Sequence, residues 1–280
     1  MIERFLTQTH FTSVEDYKEN LHFIVPDNFN FAYDVMDVWA EEKPDKLALL
    51  WTDDEDNCIR FTFKDLKEQS DRAASYFQTL GIGRGDVVML ILKRRYEFWL
   101  SMLALHKIGA VAVPATHMLT THDIVYRNNR ADVKAIICVG EDYVMTQVEG
   151  SLKDSPTLKT LVSIGPETRD GFHDWHKEWT DAPQFVRPEH VNSNDDTMLM
   201  YFTSGTSGEP KMVAHDYLYA LGHITTGAFW HNLAEDSIHL TVADTGWGKA
   251  AWGKLYGQWF AGAVVFVFEH QKFTAEKIMR

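Results

Sequence analysis

From about residue 62 onward, apolar positions alternate between helix-spaced stripes and short continuous runs. Thr62 with Asp65 three positions later has the form of a capping box, with Asp in place of Glu. Leu66, Ala73, Phe77 and Leu80 then recur at helical spacing until Gly81, which predicts a helix. After the turn at 81–86, the run 87–92 is too short for a helix and rich in strand formers, so it predicts a buried strand. The rhythm repeats: a helix over 97–107 stopped at Gly109, a strand over 110–113, a helix following Thr121-His122-Asp123, and strands over 135–139 and 161–164. Buried strands alternating with helices predict parallel β-α-β units with right-handed crossovers. The fold class is therefore α/β, with doubly wound, mostly parallel sheets.

The pattern is weaker at both ends of this series. The first thirty residues are mixed, with a turn at Pro26-Asp27-Asn28 before an amphipathic stretch over 32–41, and they read as an arm leading into the fold. Residues 180–196 turn polar around Pro183 and Pro188, as a connecting loop should, and end at a strand over 197–202. Two further strands, 238–243 and 263–268, flank a glycine- and tryptophan-rich segment that is helical from about residue 250.

Composition narrows the function classes. With 280 residues, 45% hydrophobic and 24% charged, the chain is an ordinary globular protein able to bury a core. A formal charge of -13 repels nucleic acid and anionic lipid. The densest basic run, Lys93-Arg94-Arg95, is too short for an electrostatic footprint and is read as a solvated helix start. Cys58 and Cys138 have no partner at metal-ligand spacing and fit a reduced, cytoplasmic setting. The start of the chain has no continuous apolar stretch of the signal-peptide kind, and no segment approaches the roughly 20 apolar residues of a membrane span.

The chemistry is concentrated after the strand that ends at Tyr201-Phe202, in Thr203-Ser204-Gly205-Thr206-Ser207-Gly208-Glu209-Pro210-Lys211. Open α/β sheets place ligands at the carboxyl ends of their strands. Glycine lets successive backbone amides converge on an anion, and four hydroxyls add donors without charge. Lys211 supplies the cation, aimed by Pro210, which fixes its own φ and extends Glu209. The ordinary P-loop requires Gly-Lys-Ser or Gly-Lys-Thr after four residues, which this segment lacks. A hydrolase elbow needs Gly-x-Ser-x-Gly, and the stretch Gly205 to Gly208 is one residue short of it. On composition alone, a generic flexible loop stays open as an alternative.

In order of residues, 201–211 resembles the phosphate-binding signature of the ANL superfamily, which comprises acyl- and aryl-CoA synthetases, peptide-synthetase adenylation domains and luciferases. Only Ser207 departs from the family form, exchanging one hydroxyl for another. The resemblance runs from about Phe31 to the end. Within the superfamily, Pro114-Ala115-Thr116 with Asp123 to Arg127, and Ala243-Asp244-Thr245-Gly246-Trp247 with Lys249, Trp252 and Tyr256-Gly257, look most like medium-chain acyl-CoA and acetyl-CoA synthetases.

The resemblance implies the ANL large N-terminal domain, incomplete, with a C-terminal domain absent. It would comprise an arm at 1–25, a first α/β subdomain over 66–225 that holds the phosphate loop, and an incomplete second one from 26–65 with 226–280. It further implies AMP-forming ligation of a small or medium-chain carboxylic acid to CoA, with ATP and Mg2+ as cofactors and CoA as co-substrate, in fatty acid metabolism. Thr203, Ser204, Gly205, Thr206, Ser207, Gly208 and Lys211 would hold the phosphates, with Lys211 and Thr203 assisting catalysis and Thr206 at the metal. His215 is placed either beside the acyl or nucleotide site or in a structural role. Trp247 and Gly248 are expected in the acyl pocket and Trp252 in the core; His173 and His176 are assigned to surface or packing. The family's adenine motif and adenylation lysine have no counterpart here, and the chain stops within an expected helix, so a truncated, inactive portion is expected. A catalytically dead nucleotide- or partner-binding module, or another adenylating enzyme of the superfamily, is the alternative.

Overall fold

The structure is a computed structural model that describes residues 1–203, 208–272 and 274–279. The chain first lays down an antiparallel pair, β1 (Leu47–Asp53) and β2 (Cys58–Thr62). Then follow β3 (Val87–Ile91), β4 (Val111–Pro114), β5 (Val133–Val139), β6 (Thr160–Ile164), the short β7 (His173–Asp174), β8 (Thr197–Thr203) and β9 (Lys211–Asp216). Finally β10 (Ile238–Leu240) and β11 (Val264–Glu269) return to the first pair. Two sheets result, a seven-stranded one ordered β7-β6-β5-β3-β4-β8-β9 and a four-stranded one ordered β10-β11-β1-β2. All pairings in the larger sheet are parallel except β8 with β9.

Local chemistry accounts for the elements. The helix Phe63–Thr79 starts with the expected capping box, Thr62 accepting from the Asp65 amide at 3.1 Å while the Asp65 carboxylate accepts from the Thr62 amide at 2.8 Å. Thr120 and Asp123 form a second box that opens the helix Thr121–Ala131. The helix Glu97–Ile108 ends where Gly109 takes φ 73°, and a side chain there would also strike the Val191 carbonyl. Strands β3 and β4 are buried throughout, as strands covered by helices on both faces must be.

Buried tryptophans tie helices to one another and to the smaller sheet. The Trp39 indole donates to the Trp259 carbonyl at 2.8 Å, Trp259 to Ala48 in β1 at 3.0 Å, and Trp99 to Lys254 at 2.8 Å. Each buries a large ring while its one polar atom finds a backbone acceptor. Buried charges are paired as well: Lys107 meets Asp37 and Asp71, and Arg95 grips the buried Glu97 through two hydrogen bonds.

That pairing corrects the reading of the basic run. Lys93 takes φ 50°, its side chain is 12% exposed, and it pairs with Glu141 after β5. Arg95 is held by Glu97, which His176 also approaches at 3.5 Å. The run is thus a partly buried junction at the carboxyl end of β3, just before the helix. It was misread because its carboxylate partners come from distant positions or from inside the helix itself.

Candidate active site

The segment 203–211 begins and ends in one antiparallel hairpin at the carboxyl end of β8. Thr203 stands opposite Lys211, Phe202 opposite Met212 and Tyr201 opposite Val213. The Thr203 hydroxyl donates to the Lys211 carbonyl at 3.4 Å. Ser204, Gly205, Thr206 and Ser207, expected to hold phosphate and metal, lie outside the described residues. Gly208 takes φ +130° with open space where a side chain would be. Thr203 and Lys211 are both exposed, and the Lys211 ammonium makes no ion pair or hydrogen bond among the described residues.

The helix Thr121–Ala131 braces this hairpin from the side. The Tyr126 hydroxyl donates to the Pro210 carbonyl at 2.9 Å, and the Arg127 guanidinium lies 5.3 Å from the Phe202 ring centroid. Pro210 therefore has a fixed carbonyl as well as a fixed φ. A cation without a partner among the described residues, an open glycine and a braced base form a surface that suits an anion. Among the described residues no group of three or more His, Cys, Asp or Glu side chains is placed to hold a metal.

From the hairpin an aromatic ladder leads away. His215 in β9 has its ring 4.0 Å from that of Tyr219, which lies 4.5 Å from His223 one helical turn later. Burial pushes the His215 imidazole below its usual range, and burial, with His215 nearby, pushes His223 down to about 4. The Nε2 of His223 is buried with no hydrogen-bond partner among the described residues. The ladder ends at a mostly apolar groove of about 590 Å3 lined by Tyr17, His223, Thr226, Phe229, Trp230 and Trp252.

Trp252 is half-buried in this groove, stacked on His231 at 5.9 Å with the Lys249 ammonium 5.6 Å from its ring centroid, and not in the core as expected. It lies on the helix Lys249–Lys254, whose inward face is taken by Ala250, Ala251 and Gly253, which leaves the indole at the edge. Trp247 is 56% exposed and does not line the groove. Gly248 backs onto the Tyr201 ring, but at a distance where a methyl group would be in ordinary contact. The glycine that close packing requires is Gly246, where a Cβ would lie 2.3 Å from the Ala115–Thr116 peptide.

That contact seats residues 244–247 against the end of β4. The Asp244 carboxylate accepts from the Gly246 amide at 2.9 Å, and the Thr245 hydroxyl donates to the Lys93 carbonyl. Lys254, 1% exposed, donates to the carbonyls of Thr241 at 3.2 Å and of Ala243, and burial pushes its ammonium down to about 7. Sequence periodicity gave no sign of Lys254 or of the groove, because their partners are assembled from separate segments.

Comparison with known proteins fits this geometry. The model of the AMP-binding enzyme family matches residues 36–280, and the chain belongs to that family. It is similar to the mitochondrial acyl-coenzyme A synthetase ACSM5 of Mus musculus, 35% identical, with 91% of this chain and 45% of that protein covered. It is also similar to the mitochondrial acyl-coenzyme A synthetase ACSM3 of Homo sapiens, 31% identical over 99% of this chain and 48% of that protein. Among solved structures, the acyl-CoA synthetase of Brucella canis superposes with a TM-score of 0.76 at 23% identity, covering 89% of this chain and 44% of its own. The anthranilate CoA ligase AuaEII in complex with anthranoyl-AMP gives 0.80 at 20% identity, covering 91% and 48%. These two likenesses show a shared fold. The chain spans about half the length of the curated relatives it matches.

The names of those relatives contradict the cytoplasmic expectation, since ACSM5 and ACSM3 are mitochondrial proteins. Cys58 and Cys138 are both free thiols, but a pair of reduced cysteines reports the absence of a disulfide between them and not an address.

Proposed function

We propose that this chain supplies the phosphate loop and the acid-binding groove of an AMP-forming ligase that joins a small or medium-chain carboxylic acid to CoA through an acyl-adenylate. The observation that carries the reading is the hairpin that sets Thr203 opposite Lys211 at the carboxyl end of β8, with the lysine free of partners among the described residues. In the reaction the acid's carboxylate attacks the α-phosphorus of ATP and pyrophosphate leaves; the thiol of CoA then displaces AMP. Charge builds on the leaving phosphates, so donors aimed at them are the main catalytic resource. Lys211 offers charge-assisted contacts and Thr203 a hydroxyl, with Ser204, Gly205, Thr206, Ser207 and Gly208 completing the phosphate contacts. Mg2+ would supply further neutralisation of phosphate charge, with Thr206 beside it.

The groove at the end of the His215-Tyr219-His223 ladder is the place proposed for the acid's hydrocarbon end, since its lining is mostly aromatic. His215, Trp247 and Gly248 are proposed to border the acid's site, His215 through its ring contact with Tyr219 and Gly248 through its contact with the Tyr201 ring. The larger sheet and the smaller one are proposed as the two subdomains, 66–225 and 26–65 with 226–280. The test uses the full-length protein: carboxylate-dependent exchange of labelled pyrophosphate into ATP, before and after Lys211→Ala. Exchange that survives the substitution at its original rate rejects the phosphate role.

A further inference from the structure

Residues 7–22 form a closed loop. Its neck is tied by the Leu6–Phe23 bridge, by the Thr7 amide to the His22 carbonyl at 3.1 Å, and by the Ile24 amide to the Phe5 carbonyl at 2.8 Å. Phe5 anchors the neck in the core against Phe29 and Phe260. Inside the loop one carboxylate organises the backbone: Asp16 accepts from the Thr12 amide at 2.8 Å, the Thr12 hydroxyl at 3.0 Å and the Asn20 amide group at 2.8 Å. Its helix, Val14–Asn20, buries none of its own residues, so the loop is not there to complete the core. What it does present is a pair of rings. Phe11 and Tyr17 pack edge-on at 5.1 Å, and each meets Phe229 of the groove at 5.5 Å.

On the reading that the groove takes the hydrocarbon end of the acid, we propose that Phe11 and Tyr17 close its far side with Phe229 and set the longest acid it accepts. Three features carry this. Tyr17 lines the groove directly, although more than 200 positions separate it from the other lining residues. Phe11 stands behind both rings and holds them edge to face, an arrangement that resists displacement better than a single exposed ring. The Asp16 hydrogen bonds fix the loop's shape without help from the core, so the wall is rigid where the surrounding surface is open. His223, edge-on to Tyr219 at 4.5 Å, lines the same groove. Length selection is assigned to the loop.

Isothermal titration of the 280-residue chain with butanoate, octanoate and dodecanoate tests the proposal. Tyr17→Ala, and Phe11→Ala with Tyr17→Ala, remove the wall; Asp16→Ala loosens it without altering a ring; Tyr17→Phe keeps it. The ratio of dodecanoate to butanoate affinity should rise in the first three, by about fourfold for each further methylene that becomes buried, and stay unchanged in Tyr17→Phe. A ratio that is the same in all variants, with acids still bound, overturns the wall and leaves the groove's assignment standing. If the unaltered chain binds none of the three acids, the assignment of the groove fails and the wall falls with it.

Discussion

The hairpin at Lys211 and the groove at His223 lie a dozen residues apart in the chain, yet they are built in opposite ways. The hairpin is local: one strand, one loop and one returning strand, braced by Tyr126 and Arg127 from a single helix. Thr203 and Lys211 at its open end are exposed, and that cation is free of protein partners among the described residues. The groove is assembled from the N-terminal loop, the segment 223–230 and the helix Lys249–Lys254, and its chemistry is set by burial and ring packing. A site for a highly charged, common cosubstrate can rest on backbone and one lysine, whereas a site for an apolar chain needs walls from several places.

The sharpest separation of the two comes from Lys211→Ala. The full-length protein should lose about 10²–10³-fold in adenylation rate, as when a donor to developing charge is removed elsewhere. Acid binding to the groove, followed by titration, should not change. Parallel loss of both would mean that hairpin and groove are one coupled site and would break the comparison.

The groove end should instead be sensitive to packing. Gly227 and Gly257 meet back to back, and a Cβ on Gly227 would lie 2.1 Å from the Gly257 carbonyl oxygen. Gly227→Ala should cost roughly 1–3 kcal/mol by urea denaturation, toward the upper end because the obstacle is backbone. Gly222, one and a half turns earlier with open space around it, supplies the control: Gly222→Ala should stabilise by about 0.5–1 kcal/mol, the ordinary helix preference for Ala.

The same contrast explains what could be read from sequence. The Thr62–Asp65 capping box and the Gly109 stop are local, so their meaning survives in one dimension. The pair β1 and β2 escaped notice because β1 owes its place to a parallel partner, β11, more than 200 residues away. Strand β9 was hidden for a different reason: Lys211 to Asp216 alternates without a buried face, and only the hairpin closure makes it a strand. Trp252 and Trp247 could not be told apart by type. Trp247 is 56% exposed, whereas Trp252 lines the groove.

Acid should also weaken the fold through two buried imidazoles. Burial holds His106, which meets Tyr256 at 3.0 Å, down to about 3 and His223 down to about 4. Both imidazoles are neutral in the native state over a range where the unfolded chain binds protons. Stability therefore falls as pH drops from about 6.5 toward 4, by about 1.4 kcal/mol per pH unit for each group. Denaturation midpoints between pH 4.5 and 7 check the slope, and His223→Phe should remove one proton's share of it. An unchanged slope would show that His223 is open to water in solution.

The smallest effect tests whether the brace matters to the hairpin. Tyr126→Phe deletes the hydrogen bond to the Pro210 carbonyl while keeping the ring, which lies 6.2 Å from Phe202 in an edge-on contact. The bond is partly buried, so its loss should cost about 1 kcal/mol, the net value of an ordinary hydrogen bond. If that cost is felt in the orientation of Lys211, the KM for ATP should rise about fivefold in the full-length protein, since 1.4 kcal/mol is a factor of ten, while the KM for the acid stays fixed. A fall in overall stability with no change in the KM for ATP would assign Tyr126 to packing alone. The hairpin would then hold its lysine by strand pairing, with no help from the helix beside it.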